Sequence, residues 1–300
     1  MRRRNGAATA VSTAIGFALA LFCAHATAGC DGPEPTAGRA SSGYLVWIDG
    51  RSRVLVDAGG GVFLRFGDAG ARIEDLDLVA ISHFHADHVA DVPALVKAGF
   101  FSDRERALAI SGPSAGGEFP GLSAFLRAQF QRKGGAFAYL GGALDGKGQF
   151  PLRPVVEVRV PSDTPQTVLA LPDLNVRAAP VKHGPVPSLG YVVESKGRRI
   201  AFGGDQNGDS PVFWALARGA DLLVAHSAIA DDSDPVALRL HATPDTIGRA
   251  AAAAGVHRVV LSHWMKRSLA AQAANVAAVR ARFDGPVEAA TDLACYRVGD

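Results

Sequence analysis

The chain has 300 residues and 48% hydrophobic residues, which suits one large α/β domain with a sizeable core. Its 31 Lys and Arg against 29 Asp and Glu give a net charge of +2. Three of the arginines, and no acidic residue, lie in residues 1–29, so the remainder carries 28 basic against 29 acidic residues. A nearly neutral protein lacks the basic surface typical of nucleic-acid binders, so we expect no nucleic-acid partner.

The first 29 residues have the pattern of a secretory signal peptide. Arginines at positions 2–4 precede the uncharged run Ala14–Ala24, which is too short to span a bilayer. Two processing sites compete. Ala26-Thr27-Ala28 is an A-x-A site that would release a soluble periplasmic protein. Thr27-Ala28-Gly29-Cys30 resembles a lipobox, the favoured alternative, and would yield a lipoprotein of the inner or outer membrane anchored only through Cys30.

Residues 30–42, rich in Pro, Gly and Ser, are predicted to be a flexible linker to a domain at 43–300. The domain begins with a hairpin, Tyr44–Ile48 and Arg53–Val56 around Asp49-Gly50. Helices are predicted at 92–99, 121–133 and 242–254, the last with Thr243 as N-cap and Pro244 in its first turn. Further strands are predicted at 78–82, 107–111, 155–160, 168–171, 174–178, 189–194, 199–202, 221–225, 259–262 and 293–298. Strands and helices interleave in two similar halves, which favours a layered α/β architecture.

Four residues of metal-binding type stand within six positions, directly after the apolar run Leu78–Ser82. They are His83, His85, Asp87 and His88. Side chains two apart in an extended chain lie on the same side, so His83 and His85 can bind one ion together. Asp87 and His88 can reach a second ion as the chain enters a helix. Imidazole and carboxylate donors suit zinc, so the pattern predicts a metal site.

The run His83-x-His85-x-Asp87-His88 resembles the signature of the metallo-β-lactamase superfamily, above all its ribonuclease Z-like branch of zinc phosphodiesterases and arylsulfatases. Three later segments resemble the same family, over a match of about Gly43–Val298: Val181-Lys182-His183-Gly184, Phe202-Gly203-Gly204-Asp205 and Leu261-Ser262-His263-Trp264. The resemblance implies a single α/β domain with the four-layer αββα sandwich of that superfamily.

The same resemblance implies two divalent ions, zinc or else manganese. His83, His85 and His183 would bind one ion, Asp87, His88 and His263 the other, with Asp205 shared. A hydroxide between the ions would attack the substrate, and Asp87 would act in catalysis as well as in metal binding.

His241 is the second predicted catalytic residue. Leu240-His241-Ala242-Thr243-Pro244 resembles the H-x-T loop that, in ribonuclease Z-like enzymes, supplies a residue near the scissile phosphate. His241 would protonate the leaving group or hold an anionic oxygen; the alternative is a histidine without a role before the helix. A segment that normally reads His-Glu-Ala-Thr in the family reads Ala225-His226-Ser227-Ala228 here, so His226 stands where a carboxylate would orient His241. Asp57 is predicted to support the metal-binding loop, with a role as a turn residue as the alternative.

Export, charge and a short connection argue against a tRNA substrate. The tRNA-binding arm of the bacterial family lies between the third metal histidine and the shared aspartate, and here only 21 residues separate His183 from Asp205. The longer segment Gly112–Asp173 could instead cover a substrate. We expect a small anionic ester, first a phosphodiester. Sulfate-ester, β-lactam or lactone hydrolysis, a single-iron oxygenase and a non-catalytic metal-binding lipoprotein are the alternatives, and a homodimer is one oligomeric state left open.

Overall fold

The computed structural model describes residues 22–148 and 150–299. Within them, two seven-stranded sheets lie face to face, in the orders β14-β1-β2-β3-β4-β5-β6 and β13-β12-β11-β10-β9-β8-β7. The strands are β1 (Phe22–Gly29), β2 (Gly43–Ile48), β3 (Arg51–Val56), β4 (Leu78–Ala80), β5 (Leu108–Pro113), β6 (Leu152–Val158), β7 (Gln166–Leu171), β8 (Leu174–His183), β9 (Val186–Ser195), β10 (Arg198–Phe202), β11 (Leu222–His226), β12 (Val259–Ser262), β13 (Val287–Ala289) and β14 (Tyr296–Val298).

Helices connect the strands and cover the outer faces of the sheets. They are α1 (Val62–Asp68), α2 (Ala86–Val89), α3 (Val92–Phe100), α4 (Leu122–Phe130), α5 (Gly142–Asp145), α6 (Pro211–Leu216), α7 (Pro235–Leu240), α8 (Pro244–Ala254), α9 (Lys266–Ala270) and α10 (Gln272–Arg280), with a 3-10 turn at Ala138–Leu140. Across the part of the chain that the structure describes, none of them combines the length and apolar character needed to cross a membrane.

Alternation along the strands produces the four layers. In β2, Tyr44 and Val46 face the second sheet, whereas Leu45 faces the helices outside the first sheet. Helices α1, α3 and α4 pack on that outer face, and α6, α8 and α10 pack on the outer face of the second sheet. The predicted αββα sandwich is confirmed.

Most predicted elements are present, with shifted ends. The hairpin turn has positive φ at both central residues, 53° at Asp49 and 73° at Gly50, as a two-residue turn requires. Helix α8 begins after Thr243, whose hydroxyl oxygen accepts a hydrogen bond from the Thr246 backbone N–H. Strand β8 runs to His183 rather than ending at residue 178, because it pairs with β9 as far as His183 opposite Val186.

The structure places the end of the predicted signal peptide and the predicted linker against the domain. Residues 1–21, which carry the predicted charged start and most of the apolar run, lie outside the described residues. The last eight residues of the predicted signal peptide form β1, which pairs with both β2 and β14. Residues 30–42 are packed rather than free: the side chains of Cys30, Asp31 and Ser42 are buried. Backbone hydrogen bonds from Trp264 to Cys30 and from Gly32 to Trp264 hold this segment against the domain.

Candidate metal centre

The predicted site residues meet at one edge of the sandwich. Strands β3 to β6 run parallel to one another, and so do β10 to β13. Parallel strands end at a common edge, and ligands of α/β sheets bind beyond those carboxyl ends. His83 follows β4, Asp205 follows β10 and His263 follows β12. The short gaps between strand ends and ligands explain why residues so far apart in sequence converge.

The first group consists of His83, His85, His183 and Asp205, whose potential ligand atoms all lie within 4.8 Å of one another. Nε2 of His83 is 3.9 Å and Nε2 of His183 is 3.6 Å from Oδ2 of Asp205. His85 is partly exposed, whereas the other three side chains are buried. The pocket therefore opens to solvent on the side of His85.

The second group consists of Asp87, His88 and His263, again within 4.8 Å of one another. Nε2 of His263 is 3.2 Å from Oδ2 of Asp87 and 3.3 Å from Nε2 of His88. Asp205 contacts this group too, with Oδ1 3.4 Å from Nε2 of His263 and Oδ2 3.7 Å from Nε2 of His88. The carboxylate of Asp205 thus lies against both groups.

The donor set fits divalent metal ions. Nε2 of His83 and Nε2 of His183 are buried and have no hydrogen-bond partner among the described residues, yet both face Asp205. Buried polar atoms without partners are costly, so these two atoms fit a role as ligands of a metal ion. Three imidazoles with a carboxylate, beside two imidazoles with a second carboxylate, are donors that zinc and related divalent ions prefer.

Polar contacts behind the histidines orient their rings. Nδ1 of His88 donates to Oδ2 of Asp57 over 2.8 Å, and Nδ1 of His183 donates to the Leu240 carbonyl over 2.8 Å. Asp57 also accepts hydrogen bonds from the backbone N–H and the hydroxyl of Ser82, at 2.7 and 2.8 Å. With Nδ1 donating, Nε2 of each ring is left free for a metal. Asp57 therefore has the supporting contact predicted for it; Ser82 and Leu240 were not predicted.

Strained backbone accompanies the site. His263 has φ of 56° and Asp57 has φ of 59°, a region that residues other than glycine rarely adopt. Gly204, just before Asp205, has φ of 61°, and a Cβ there would lie 2.6 Å from the Leu189 carbonyl oxygen. Glycine is therefore required where β10 turns to present Asp205.

Charge coupling within the cluster favours ionised carboxylates. Burial raises the pKa of Asp87, but the His263 hydrogen bond and the His88 charge outweigh it and bring that pKa to about 2. Burial likewise opposes ionisation of Asp205, yet His263, His241 and His88 hold its pKa well below the ordinary value. Both side chains are therefore acceptors at neutral pH.

His241 lies beside both groups. Its ring centroid is 5.2 Å from that of His183 and 5.8 Å from that of His263, and its Nδ1 is 4.0 Å from Oδ2 of Asp205. Burial lowers the pKa of His241 to about 3, so the ring is neutral at pH 7. The Asp205 charge favours the protonated ring, but burial outweighs it, and the neutral imidazole donates one hydrogen bond.

His226, which stands in place of the expected carboxylate, contacts Asp205 rather than His241. Its Nδ1 is 2.6 Å from Oδ1 of Asp205, and its Nε2 is 3.0 Å from the hydroxyl of Tyr44. The pKa of His226 is lowered to about 4, chiefly by burial. Sequence reasoning left the role of His226 open and did not identify Tyr44, which lies 182 residues away.

The connection from His183 to Asp205 is short. It consists of β9, the turn Lys196-Gly197 and β10, and these strands pair with each other as a hairpin. The extra length lies upstream, in α4, α5, β6 and β7, as the long Gly112–Asp173 segment suggested.

Comparisons with known proteins agree with this architecture. A family model described as the beta-lactamase superfamily domain matches residues 52–264. A ribonuclease Z of Mycolicibacterium paratuberculosis (strain ATCC BAA-968 / K-10) is 30% identical over 278 residues, covering 88% of this chain and 94% of that protein. We predicted no nucleic-acid partner, and a relative that is named as a ribonuclease does not support that prediction.

Solved structures show the same fold. The short form of human tRNase Z has a TM-score of 0.70 at 20% identity, covering 93% of this chain and 100% of that one. The metallo-beta-lactamase fold protein YhfI from Bacillus subtilis has a TM-score of 0.71 at 22% identity, covering 93% and 99%. With the two histidine and aspartate groups, these matches show that the chain belongs to the metallo-β-lactamase superfamily, in its ribonuclease Z-like branch, and that it is a metal-dependent hydrolase.

Proposed function

We propose that the protein is a dinuclear metal-dependent phosphodiesterase that acts on a small anionic ester. The observation that carries the proposal is the contact of Asp205 with both groups. Oδ2 of Asp205 lies 3.6 Å from Nε2 of His183 in the first group and 3.7 Å from Nε2 of His88 in the second. One carboxylate can therefore serve two adjacent ions. A pair of divalent ions held by the two groups, zinc before manganese, would supply Lewis acidity and would lower the pKa of water.

The protein's own side chains supply orientation and hydrogen bonds. The ionised Asp87 belongs to the second group and can accept a hydrogen bond from a water molecule that approaches the ester. The neutral His241 can donate a hydrogen bond to an anionic phosphoryl oxygen or to the leaving oxygen. The neutral ring therefore favours the role in which His241 holds an anionic oxygen over the role in which it protonates the leaving group.

The β9–β10 hairpin and the branch of the family together support a small phosphodiester. Relatives in this branch are named ribonuclease Z, so their names point to phosphodiester cleavage. The hairpin that joins His183 to Asp205 leaves little chain for an arm that could grip a folded RNA. We infer that the ester group resembles that of the relatives while the substrate is smaller.

The direct test uses the protein expressed from its full-length sequence. It is expected to contain close to two zinc or manganese ions per chain and to cleave bis(p-nitrophenyl) phosphate. Asp205→Ala is expected to lose one ion and nearly all activity. Asp209→Ala is the matched control, because the Asp209 side chain is exposed and pairs with Lys182 at the surface.

A substrate panel separates the alternatives on one preparation. It compares phosphodiesters, a precursor tRNA, sulfate esters, lactones and β-lactams. Faster turnover of any class other than small phosphodiesters would replace the proposed substrate. One bound iron without hydrolysis would support an oxygenase, and two ions with wild-type turnover in Asp205→Ala would overturn the dinuclear site.

We also propose that the chain is exported and that Cys30 is not lipidated. Three arginines followed by an apolar run support export. The thiol of Cys30 is fully buried, donates to Oδ1 of Asp292 over 3.1 Å and accepts from Nη2 of Arg39 over 2.7 Å. A thioether carrying acyl chains would have to leave this environment, so the Ala26-Thr27-Ala28 site is favoured.

Intact mass spectrometry of protein from the periplasmic fraction tests both points. The expected mass begins at Gly29 without added lipid. A diacylglyceryl group on Cys30 would overturn the choice of site. A mass that begins at or before Phe22 would overturn cleavage, and it would mean that β1 stays in the sheet of the exported protein.

A further inference from the structure

A buried chain of polar side chains leads from the shared aspartate into the space between the two sheets. Oδ1 of Asp205 is 2.6 Å from Nδ1 of His226, and Nε2 of His226 is 3.0 Å from the hydroxyl of Tyr44. That hydroxyl is 3.0 Å from Oγ of Ser262. These four side chains are 0 to 6% exposed, so no bulk water competes for their hydrogen bonds. These hydrogen bonds connect β2, β11 and β12 to the end of β10.

The chemistry of the groups sets the direction of these hydrogen bonds. An ionised carboxylate only accepts, so Nδ1 of His226 must donate to Asp205. Nε2 of the same neutral ring then has a lone pair, and the Tyr44 hydroxyl donates to it. The Tyr44 oxygen can in turn accept a hydrogen bond from the Ser262 hydroxyl, which lies 3.0 Å away and can rotate to donate. The contacts with Asp205 and Tyr44 on opposite sides of the ring fix the tautomer and orientation of His226.

The hydrogen bond of His226 also fixes the carboxylate of Asp205. With Oδ1 held by His226, Oδ2 points toward three histidines and lies 3.6 to 3.9 Å from the Nε2 atoms of His83, His88 and His183. Rotation of the carboxylate about its Cβ–Cγ bond would break the 2.6 Å contact. A glutamate in place of His226 would instead put a second negative charge against Asp205.

We propose that His226, held by Tyr44 and Ser262, is a positioning residue that fixes Asp205 for simultaneous contact with two metal ions. The inference rests on the proposed function only in requiring that the centre binds two ions. His226 therefore does not replace the carboxylate expected to orient His241; it acts on the metal centre. Its ring also stacks on His263 at 4.7 Å between centroids, so it borders the second group.

Metal titration with zinc alone tests the proposal without any substrate. His226→Asn keeps an N–H donor close to the position of Nδ1, whereas His226→Leu removes the donor at similar volume. Loss of a hydrogen bond behind a metal ligand weakens metal binding about 10- to 100-fold. We therefore expect His226→Leu to bind its weaker ion at least about 10-fold less tightly, and His226→Asn to restore most of that affinity.

Tyr44→Phe removes the hydroxyl at the far end and keeps the ring. It is expected to weaken the same ion by less than His226→Leu does, because His226 is then free to change tautomer. Circular dichroism spectra and Tm values of the zinc-free proteins show whether each variant folds; should His226→Leu not fold, Tyr44→Phe and His226→Asn still carry the test. Unchanged zinc affinity in all three variants would overturn the proposal.

His226→Asn could instead lose the ion as completely as His226→Leu while Tyr44→Phe binds normally. His226 would then be a metal ligand with Asp205 and His263, whose potential ligand atoms also lie within 4.8 Å of one another. That result would overturn the positioning role. Failure of the phosphodiesterase assay would leave these zinc affinities, and hence this inference, unaffected.

Discussion

The carboxylate of Asp57 accepts a hydrogen bond from Nδ1 of His88 over 2.8 Å. Asp57 directly follows β3, whereas His88 lies in α2, 31 residues later. Asp57 also ties down Ser82 through its backbone N–H and its hydroxyl. The residue before the metal-binding run and one of its histidines are therefore held by a single buried side chain. These contacts allow Asp57 to support the His83–His88 loop from outside it.

Asp57→Asn tests that support. Both carboxylate oxygens of Asp57 accept hydrogen bonds from Ser82 or His88. The NH₂ group of an asparagine would replace one of these acceptors with a donor, so at least one hydrogen bond is lost. We expect zinc affinity to fall about 10- to 100-fold and stability to fall by about 1–3 kcal/mol. Chelator competition and thermal unfolding measure the two effects. Asp49→Asn is the control, since Asp49 also has positive φ but is exposed. Equal zinc affinity in the two variants would contradict the role of Asp57.

Replacement of His241 separates substrate binding from metal binding. His241→Ala removes a donor that lies beside both metal groups but belongs to neither. We expect kcat on bis(p-nitrophenyl) phosphate to fall about 10²- to 10³-fold, while two ions remain bound. His257→Ala is the control because the His257 side chain is 68% exposed. A loss of metal from His241→Ala would mean that His241 is a ligand.

The local part of the site could be predicted from the sequence because it depends on neighbouring residues. His83, His85, Asp87 and His88 follow one apolar strand within six positions, and that spacing alone brings them together. Asp205 and His263 also follow apolar strands, so their place at the sheet edge follows from the parallel topology. The resemblance to a known family supplied their pairing into two groups.

The rest could not be predicted because it depends on contacts between distant segments. Tyr44 and His226 are 182 residues apart, and only the packing of one sheet on the other brings them together. The segment that begins at Cys30 has the composition of a linker. It packs against the domain because its backbone forms hydrogen bonds with the backbone N–H and carbonyl of Trp264. Strand β8 continues past residue 178 because β9 supplies a partner, although Pro180 argues locally against a strand.

The metal-free protein is expected to be most stable near pH 6.5. Burial lowers the pKa of His226 to about 4 and of His241 to about 3, from the usual 6.5. As pH falls below 6.5, the unfolded chain takes up these protons first, so stability is lost between pH 6.5 and about 3. Burial also disfavours charged His88, but Asp57 and Asp205 raise its pKa to about 9. The stability that His88 contributes is present below pH 6.5 and is lost as pH rises toward 9.

Thermal unfolding of chelator-treated protein across this pH range measures both limbs. Asp57→Asn is expected to reduce the loss of stability between pH 6.5 and 9. It removes the negative charge of residue 57, which raises the pKa of His88 in the native protein. The acidic limb should be unchanged in that variant. A Tm that rises steadily from pH 6.5 to 9 would show that His88 is not charged in the metal-free fold.

Gly32 packs directly against a predicted metal ligand, which makes it a sharp test of the amino-terminal segment. A Cβ at this position would lie 2.9 Å from Cε1 of His263 and 3.2 Å from Cγ of Met265. The segment cannot move away easily, because Gly32 N–H donates to the Trp264 carbonyl over 3.0 Å and Glu34 accepts from the Lys266 N–H over 2.6 Å. Gly32→Ala should therefore displace His263 rather than the segment.

We expect Gly32→Ala to weaken zinc binding about 10-fold, the effect typical of a disturbed contact behind a metal ligand, and to lower Tm. Gly67→Ala is the matched control, since Gly67 lies in α1 with no atom within 4 Å of an added Cβ. That substitution should leave zinc binding unchanged and raise stability by up to about 1 kcal/mol through helix propensity. Equal zinc affinity in the two variants would mean that residues 30–34 do not constrain His263. The segment that is hydrogen-bonded to Trp264 starts at Cys30. A loss of zinc affinity in Gly32→Ala, but not in Gly67→Ala, would therefore mean that the first residues after the predicted cleavage site help to shape the metal centre.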